Sequence, residues 1–155
     1  MITLRNSVKA IIKENNKMLF VKQMAKDSGD VFYILPGGGQ DGGETFIDTI
    51  KRECFEELGI DIEVGDIELI REYIGKNHEF SHKHANVHQI EYMFSCFLKT
   101  PIDMSKATHT DLEQTGYKWI DFVDFKNENI YPKILRTVYN NEGERMTNIY
   151  IGDIN

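Results

Sequence analysis

A glycine-rich loop directly before a short acidic helix constrains the fold of this chain more than any other feature of its sequence. The segment 35–43 reads Leu-Pro-Gly-Gly-Gly-Gln-Asp-Gly-Gly. Because proline and glycine interrupt regular structure, we expect no strand there and an irregular backbone up to the helix. Thr45 fits the N-cap position and Asp48 the third helical position. We predict a helix from there to about Leu58, ended by Gly59.

One face of this predicted helix is apolar. Phe46, Ile50, Cys54 and Leu58 recur every four residues, which places them in one stripe along the helix. A stripe of this kind is buried when the helix packs on another element. The pattern therefore predicts a helix that lies on a β-sheet.

A second face of the helix is acidic. Glu53, Glu56 and Glu57 fall within an arc of about 100° on a helix of ordinary geometry. Three carboxylates on one face repel one another and destabilise the helix slightly. Mg²⁺ prefers oxygen ligands, removes this repulsion, and commonly bridges protein carboxylates to substrate phosphates. We interpret the face as a metal site, and the alternative is a solvated acidic surface.

The same segment carries a motif with fixed spacings. Five residues separate Gly38 from Glu44, seven more precede Arg52, and residues 52–60 read Arg-Glu-Cys-Phe-Glu-Glu-Leu-Gly-Ile. The segment resembles the Nudix box, G-x5-E-x7-R-E-U-x-E-E-x-G-U with U apolar, and Cys54 is a less usual residue at its U position. The resemblance implies a magnesium-dependent hydrolase of nucleoside diphosphates linked to another group.

The resemblance also implies roles for the charged residues of the helix. Glu53, Glu56 and Glu57 are the expected ligands of Mg²⁺ (or Mn²⁺). One of them, or a glutamate outside the box, is expected to take a proton from water. Arg52 is expected to hold a box glutamate through a charge-assisted contact. The alternative for Arg52 is an ordinary surface arginine.

The loop before the helix contributes to the same expected site. We expect Glu44 to lie behind the metal ligands and to tie the loop to the helix, with simple capping as the alternative. The backbone carbonyls of Gly37 and Gly38 are candidates to complete the metal shell, because glycine allows close approach. The expected site therefore combines loop and helix.

Related enzymes often use one more acid from a later loop. Glu113 is our candidate for this metal-binding or catalytic role, because it precedes a predicted strand and lies in a loop able to fold over the helix. Asp111 is a competitor, and Glu91 is a weaker one because it lies within a strand. The alternative for Glu113 is a solvated loop acid.

Four of the five histidines are concentrated in one segment. His78, His82, His84 and His88 follow the spacing H-x3-H-x-H-x3-H, which matches no fixed zinc pattern but leaves a transition-metal site open. We favour a substrate-binding loop in which His82 and His84 contact phosphate or base and Phe80 stacks on the base. A solvated loop is the third interpretation.

Composition limits the remaining possibilities. At 155 residues the chain is long enough for a single domain, residues 1–155, with a core that needs no disulfide. The net charge of −7 argues against a nucleic-acid partner bound by a general basic surface. Cys54 and Cys96 are interpreted as buried thiols. Neither a signal peptide nor a membrane span is evident, so we expect a cytoplasmic protein without a membrane partner.

The order of predicted elements is of the mixed α/β class. Alternation at Val8, Ala10 and Ile12 followed by Asn15-Asn16 predicts a hairpin into residues 18–21. Further strands are predicted at 31–35, 60–64, 67–74, 87–98, 117–120 and 149–151, loops at 76–86 and 100–115, and a helix from Pro132 to about Asn140. This order resembles the Nudix fold, a mixed β-sheet sandwiched between α-helices, over about residues 5–140, and the family resemblance leaves a homodimer open.

The substrate is predicted only by elimination. Motifs that mark coenzyme A or NADH pyrophosphatases are not evident. The proline of many ADP-ribose enzymes is replaced by Gly75-Lys76, and the tyrosine of diadenosine polyphosphate enzymes by Asn77-His78. A small nucleotide substrate, most simply a (deoxy)nucleoside triphosphate cleaved by a mutator-type pyrophosphohydrolase, is therefore favoured over ADP-ribose or a nucleotide sugar. A non-catalytic nucleotide-sensing domain is the alternative of another class, although such domains typically lose box acids that this chain keeps.

Overall fold

A mixed β-sheet with few helices forms the fold, as seen in a computed structural model that describes residues 1–108 and 113–155. The described strands are β1 (Thr3–Glu14), β2 (Lys17–Met24), β3 (Val31–Ile34), β4 (Gly37–Gly39), β5 (Ile62–Ile74), β6 (Val87–Leu98), β7 (Gln114–Asp121) and β8 (Tyr150–Asp153). The α-helices are α1 (Phe46–Leu58), α2 (Ser81–His84) and α3 (Leu135–Val138), with 3-10 turns at Gly75–Asn77, Met104–Lys106 and Phe122–Asn127. The expected mixed fold class is confirmed.

Strand β1 is central to the sheet, whose order is β3-β2-β1-β6-β5-β8 with β4 on β1 and β7 on β2. β1 runs parallel to β6 and antiparallel to β2 and β4. β5 is antiparallel to β6 and parallel to β8. The predicted hairpin between β1 and β2 is confirmed, and both residues of its turn, Asn15 and Asn16, have positive φ, which asparagine tolerates better than most residues.

The prediction that the glycine run forms no strand is wrong. Gly37–Gly39 is a short strand, β4, which pairs with residues 7–9 of β1. After the hairpin, β2 pairs with β1 only at Lys13 and Glu14. Its other pairing partners are β7, from Lys17 onwards, and β3, from Val21 onwards. The edge of β1 that β2 leaves open is taken by β4. Backbone pairing of this kind requires no side chains.

Other elements differ from their predicted bounds because they pair with distant parts of the chain. The two strands predicted at 60–64 and 67–74 are one strand, β5, in which irregular register between Val64 and Leu69 absorbs the interruption. The helix predicted from Pro132 to Asn140 is only α3, because Tyr139 is extended and forms a bridge with Arg145. The strand predicted at 87–98 has the observed bounds of β6.

The core consists of two clusters on the two faces of the sheet. One lies between α1 and β1, where Ile50, Cys54 and Leu58 are fully buried. The predicted apolar stripe of the helix is therefore confirmed, with Phe46 partly buried at its start. The other cluster lies on the opposite face, beneath the segment 122–139. No helix within residues 1–108 and 113–155 is long and apolar enough to cross a membrane.

Candidate active site

Both ends of helix α1 are fixed by hydrogen bonds. The Thr45 hydroxyl accepts from the Asp48 backbone N–H (3.1 Å), and the Asp48 carboxylate accepts from the Thr45 N–H (3.0 Å). These bonds lower the pKa of Asp48. Gly59 closes the helix with φ of 63° and donates its N–H to the Phe55 carbonyl. The predicted capping is confirmed, so the acidic residues stand on a helix with a defined start and end.

Strand β4 lies directly against the acidic face of α1. A Cβ atom built on Gly38 would lie 2.5 Å from Oε1 of Glu53, so only glycine leaves room for that carboxylate. A Cβ atom built on the neighbouring residue Gly39 would lie on the opposite face of the strand and would overlap the guanidinium of Arg5. The glycine strand therefore separates a carboxylate on one face from a cation on the other.

Arg52 connects most of the charged groups on this side of the strand. Its Nε lies 2.5 Å from Oε1 of Glu44, and its Nη2 lies 3.0 Å from the second oxygen of Glu44. Its Nη1 donates to Glu53 at 3.0 Å and to Glu56 at 3.3 Å. Nη2 also donates to the Gly39 carbonyl at 3.2 Å. The planar guanidinium is suited to such a fork.

Glu44 joins the loop to the helix. The Arg52 guanidinium holds the pKa of Glu44 at about 2, well below its ordinary value of 4.5. The same carboxylate accepts from the Asp41 N–H (3.1 Å) in the loop and from the Thr49 hydroxyl (2.8 Å) on the helix. Glu44 is therefore ionised at neutral pH and contacts both elements, in the place expected for it.

Glu57 faces the start of the glycine strand. Its Oε1 accepts from the Gly37 backbone N–H at 2.9 Å, and the residue is buried. The Gln114 side chain donates to the Glu57 carbonyl at 2.8 Å, which ties the start of β7 to the same turn of α1. Glu53, Glu56 and Glu57 thus lie along one face of the helix, as predicted, and each contacts a hydrogen-bond donor.

The donor set at this face fits a divalent cation of the kind that Nudix-type motifs imply. Its members are carboxylate oxygens, which hard cations prefer, and the missing side chain of Gly38 leaves room for the Glu53 carboxylate. Within residues 1–108 and 113–155, no three His, Cys, Asp or Glu side chains yet converge on one point. Glu53 and Glu56 share Arg52 instead, and Glu57 is bound to Gly37. A cation binding here would replace these donors.

The acids considered outside the box lie elsewhere. Glu113 accepts from the Met24 N–H through its backbone carbonyl (2.8 Å) and lines a cavity next to the glycine strand. Glu91 is buried and bound to Arg71 at 2.9 Å; burial opposes its ionisation, but Arg71 outweighs this and lowers its pKa. Asp111 lies outside the described residues. A place for Glu113 among the metal ligands stays a prediction.

The cavity next to the glycine strand has a volume of about 820 Å³. Four aromatic side chains and one histidine line it, together with four cationic side chains: Phe32, Tyr73, Phe80, Tyr131, His84, Arg5, Lys26, Arg71 and Lys83. Arg5 and Lys26 have no side-chain hydrogen bond or ion pair with any residue of the described ranges. Two unpaired cations and several ring faces therefore border one cavity.

The rings of the cavity meet one another at steep angles and are not stacked. Phe32 meets Tyr131 at 6.0 Å and 89°, and Phe80 meets Tyr131 at 6.1 Å and 57°. Phe80 also lies 6.0 Å from His84 at 58°. Rings in tilted contact do not cover one another's faces as stacked rings do. Such a wall suits a flat heterocycle.

The four clustered histidines do not converge on one site in the described structure. His84 lines the cavity and its Nδ1 lies 2.9 Å from the Tyr73 hydroxyl, while burial lowers its pKa. His82 is exposed and does not line the cavity. His78 stacks on Tyr73, and Nε2 of His88 is buried without a partner in the described structure. The described histidines do not assemble a transition-metal site.

Several cavity residues were not predicted from the sequence. Arg5, Tyr73 and Tyr131 come from three distant segments, and Tyr131 also lies below the cations of Lys133 and Arg136. Period-two alternation along β1 is the one sequence signal that points to Arg5, because Arg5 shares a face with Lys9 next to the glycine strand. Nothing in the sequence indicates that Tyr131 faces Phe80.

Comparison with known proteins identifies a family that this chain matches. A family model described as the NUDIX domain matches residues 3–139. An RNA pyrophosphohydrolase from Ruthia magnifica subsp. Calyptogena magnifica is 25% identical, over 91% of this chain and 86% of the relative.

Solved structures of low identity share the fold. A NUDIX hydrolase from Nitrosomonas europaea has a TM-score of 0.66 at 18% identity, covering 81% of this chain and 78% of its own. A MutT protein from Methanosarcina mazei Go1 has a TM-score of 0.65 at 20% identity, covering 87% and 89%. An ADP-ribose pyrophosphatase from Streptococcus suis 89-1591 has a TM-score of 0.59 at 21% identity, covering 83% and 81%.

Proposed function

Since the chain belongs to the Nudix family of hydrolases, we propose that it is a Mg²⁺- or Mn²⁺-dependent pyrophosphohydrolase of a (deoxy)nucleoside triphosphate. One observation carries this proposal. The glycine strand has the carboxylates of α1 on one side and Arg5, at the wall of the aromatic cavity, on the other. In the proposed binding mode the base lies in the cavity, and the phosphates extend past Arg5 and the glycine strand towards the acids.

The acidic face is the proposed cation site. Glu53, Glu56 and Glu57, with the carbonyls of Gly37 and Gly38, would hold the metal. Nudix hydrolases generally use divalent metal ions, which neutralise phosphate oxygens and lower the pKa of bound water. Metal binding at Glu53 and Glu56 would free Nη1 of Arg52, while its contacts with Glu44 keep the guanidinium in place.

The remaining residues of the site bind and orient the substrate. Arg5 and Lys26 provide positive charge without a protein partner in the described ranges, which suits phosphate oxygens. Phe80 and His84 belong to the ring wall that suits the base. Glu113, on the cavity wall, is our candidate to take a proton from water or to complete the metal shell. His82 stays a prediction of substrate contact from the surface.

A nucleoside diphosphate linked to a bulkier group is the second candidate. A cavity of about 820 Å³ is at the large end of the usual range for small-molecule sites. A structural relative from Streptococcus suis is described as an ADP-ribose pyrophosphatase, and the curated relative as an RNA pyrophosphohydrolase. ADP-ribose, a nucleotide sugar and a 5′-triphosphorylated oligoribonucleotide therefore belong in the test.

A substrate panel tests the proposal. The protein is incubated with Mg²⁺ or Mn²⁺ and each nucleotide, and the products are separated by chromatography. We expect a nucleoside triphosphate to yield a nucleoside monophosphate and pyrophosphate with the highest kcat/KM. Preferred cleavage of ADP-ribose or a nucleotide sugar would replace the triphosphate with the second candidate. Binding without turnover of any compound would indicate a nucleotide sensor.

A further inference from the structure

The last strand of the chain lies outside the part that the family model matches, residues 3–139. β8 (Tyr150–Asp153) runs parallel to β5, with Tyr150 opposite Ile70 and Asp153 opposite Glu72. The Ile154 carbonyl accepts from Nη1 of Arg71 at 2.7 Å, and Arg71 lines the cavity. The strand is therefore fixed to the sheet beside the cavity.

Asp153 holds the beginning of the histidine segment. Its Oδ1 accepts from the Ile74 N–H at 2.8 Å and lies 2.6 Å from Nε2 of His78, and its Oδ2 accepts from the Asn77 side chain at 2.7 Å. Burial opposes ionisation of this carboxyl, but the hydrogen bonds from Asn77 and His78 outweigh it, and the pKa of Asp153 is about 2. The ionised carboxylate of Asp153 thus accepts hydrogen bonds from Ile74, Asn77 and His78.

The contacts of Asp153 continue to the cavity wall. His78 stacks on Tyr73 at 5.0 Å and 12°, and the Tyr73 hydroxyl lies 2.9 Å from Nδ1 of His84. His84 and its neighbour Phe80 both line the cavity. Asp153 does not line the cavity itself, so it acts on a ligand only through these residues.

Two ion pairs also attach the segment. Lys83 pairs with Asp27 at 3.0 Å, and Glu79 pairs with Lys133 at 2.7 Å. The side chains of both pairs are exposed, by 40% or more of their surface. Solvent-exposed ion pairs contribute little to stability. The partly buried carboxylate of Asp153, with three donors, is therefore the strongest attachment of the segment among these contacts.

We propose that Asp153 is a positioning residue that sets the affinity for the base of the nucleotide, by fixing residues 74–84 so that Phe80 and His84 face the cavity. The inference rests on the proposed nucleotide substrate. It adds that a residue beyond the matched domain, remote from the acidic helix, determines how well the base is held. Loss of this attachment allows the ring wall to move and leaves the acids of α1 in place.

Equilibrium binding tests the inference without turnover. The probe is the α,β-methylene analogue of the nucleoside triphosphate that the panel favours, or of ATP if it favours none, measured by calorimetry with Mg²⁺. We expect Asp153→Asn to raise Kd on the order of tenfold, because the amide turns a donor towards a group that was donating. Asp61→Asn is the matched control, since the Asp61 side chain is exposed and has no partner in the described ranges.

Two further readouts separate positioning from general damage. Methylenediphosphonate, which has phosphates but no base, should bind Asp153→Asn and the wild type equally. Hydrogen exchange should accelerate at the amides of residues 74–84 in Asp153→Asn and not in the Asp61 control. If Asp153→Asn does not fold, Asn77→Ala removes one of the three donors at an exposed position and should show the same pattern more weakly.

The outcomes distinguish the two proposals. An unchanged Kd for the nucleotide analogue in Asp153→Asn overturns the positioning role, as does an equal loss for methylenediphosphonate. Failure of the wild type to bind any analogue also overturns it. A wild type that binds the analogue but hydrolyses nothing defeats the proposed reaction alone, because the change in Kd still decides the role of Asp153.

Discussion

The acidic face and the aromatic cavity are built in opposite ways, although one glycine strand separates them. The acidic face comes from residues 37–59, and its contacts join groups that are close in sequence. The cavity comes from segments as distant as Arg5, Phe80, Tyr131 and Asn155. One region concentrates like charge on a single helix, whereas the other brings rings and cations together through tertiary contacts.

The two regions are therefore expected to respond differently when their residues are altered. Carboxylates that hold a metal matter most in the transition state, so their loss should lower kcat. Rings that hold the base bind substrate and transition state alike, so their loss should raise KM.

Removal of divalent metal should have the largest effect. We expect hydrolysis to stop in EDTA and to return with Mg²⁺ or Mn²⁺, because a divalent cation neutralises both the acids and the substrate phosphates. The measurement is product release before and after chelation. Full turnover in metal-free buffer would contradict the role of the acidic face as a metal site.

Neutralising one helix acid should come next. Glu53→Gln, Glu56→Gln and Glu57→Gln are each expected to lower kcat by on the order of a hundredfold with little change in KM. The variants should stay folded by circular dichroism, since glutamine keeps the size and shape of the side chain and relieves repulsion within the acidic face. Glu63→Gln, at an exposed position of β5, is the control. Wild-type rates in all three variants would contradict the assignment.

Changes in the ring wall should have an intermediate effect on KM. Phe80→Ala is expected to raise KM by about tenfold and to leave kcat nearly unchanged, since stacking on a base contributes about 1–3 kcal/mol. His84→Ala should act in the same direction, and the exposed His82 provides a comparison in the same segment. Phe97→Ala removes a ring that is 56% exposed and remote from the cavity. A fall in kcat alone for Phe80→Ala would contradict the expectation that the ring wall acts through substrate binding.

Glu113 lies on the boundary between the two regions, so its variant tests to which region it belongs. If Glu113 activates water or binds metal, Glu113→Gln should lower kcat by about tenfold. A rise in KM alone would instead assign this residue to the cavity wall, where its position already places it. Steady-state kinetics with the preferred nucleotide distinguish the catalytic or metal-binding role from the cavity-wall role.

The smallest effect concerns stability in acid. The pKa of Glu44 is about 2 in the folded chain, against an ordinary value of 4.5. Its ionisation therefore stabilises the fold fully above about pH 4.5, and this contribution is lost as the pH falls towards 2. Urea unfolding from pH 7 to pH 2 should show the loss in the wild type and a smaller one in Arg52→Gln. Lys99→Gln, at an exposed position, should behave as the wild type.

The parts of the fold that the sequence predicts are those with local signals. Helix α1 follows from Thr45, Asp48 and Gly59, whose capping depends on residues within one turn. Strand β6 follows from its long apolar pattern, and the first hairpin from the asparagines of its turn. The geometry that joins Glu44, Arg52 and the helix acids is also local, so the box indicated it well.

The parts that the sequence does not predict depend on distant partners. β4 exists because β2 leaves an open edge on β1, and β5 is continuous because β6 pairs with it on both sides of its irregular residues. The helix after Pro132 is short because Tyr139 pairs with Arg145. The same limit applies to the cavity, where the neighbours of Phe80 are fixed only by the folded chain.

The burial of both cysteines has a practical consequence for experiments on the histidine segment. Cys54 and Cys96 are 0% and 2% exposed, and burial raises both thiol pKa values, that of Cys96 to about 12. Maleimide reagents need an accessible thiolate, so the folded chain resembles a cysteine-free background. A cysteine introduced at the exposed position of His82 would react with a fluorescent or spin label, while the two buried cysteines would not. The label would report the position of the segment beside the cavity with and without nucleotide.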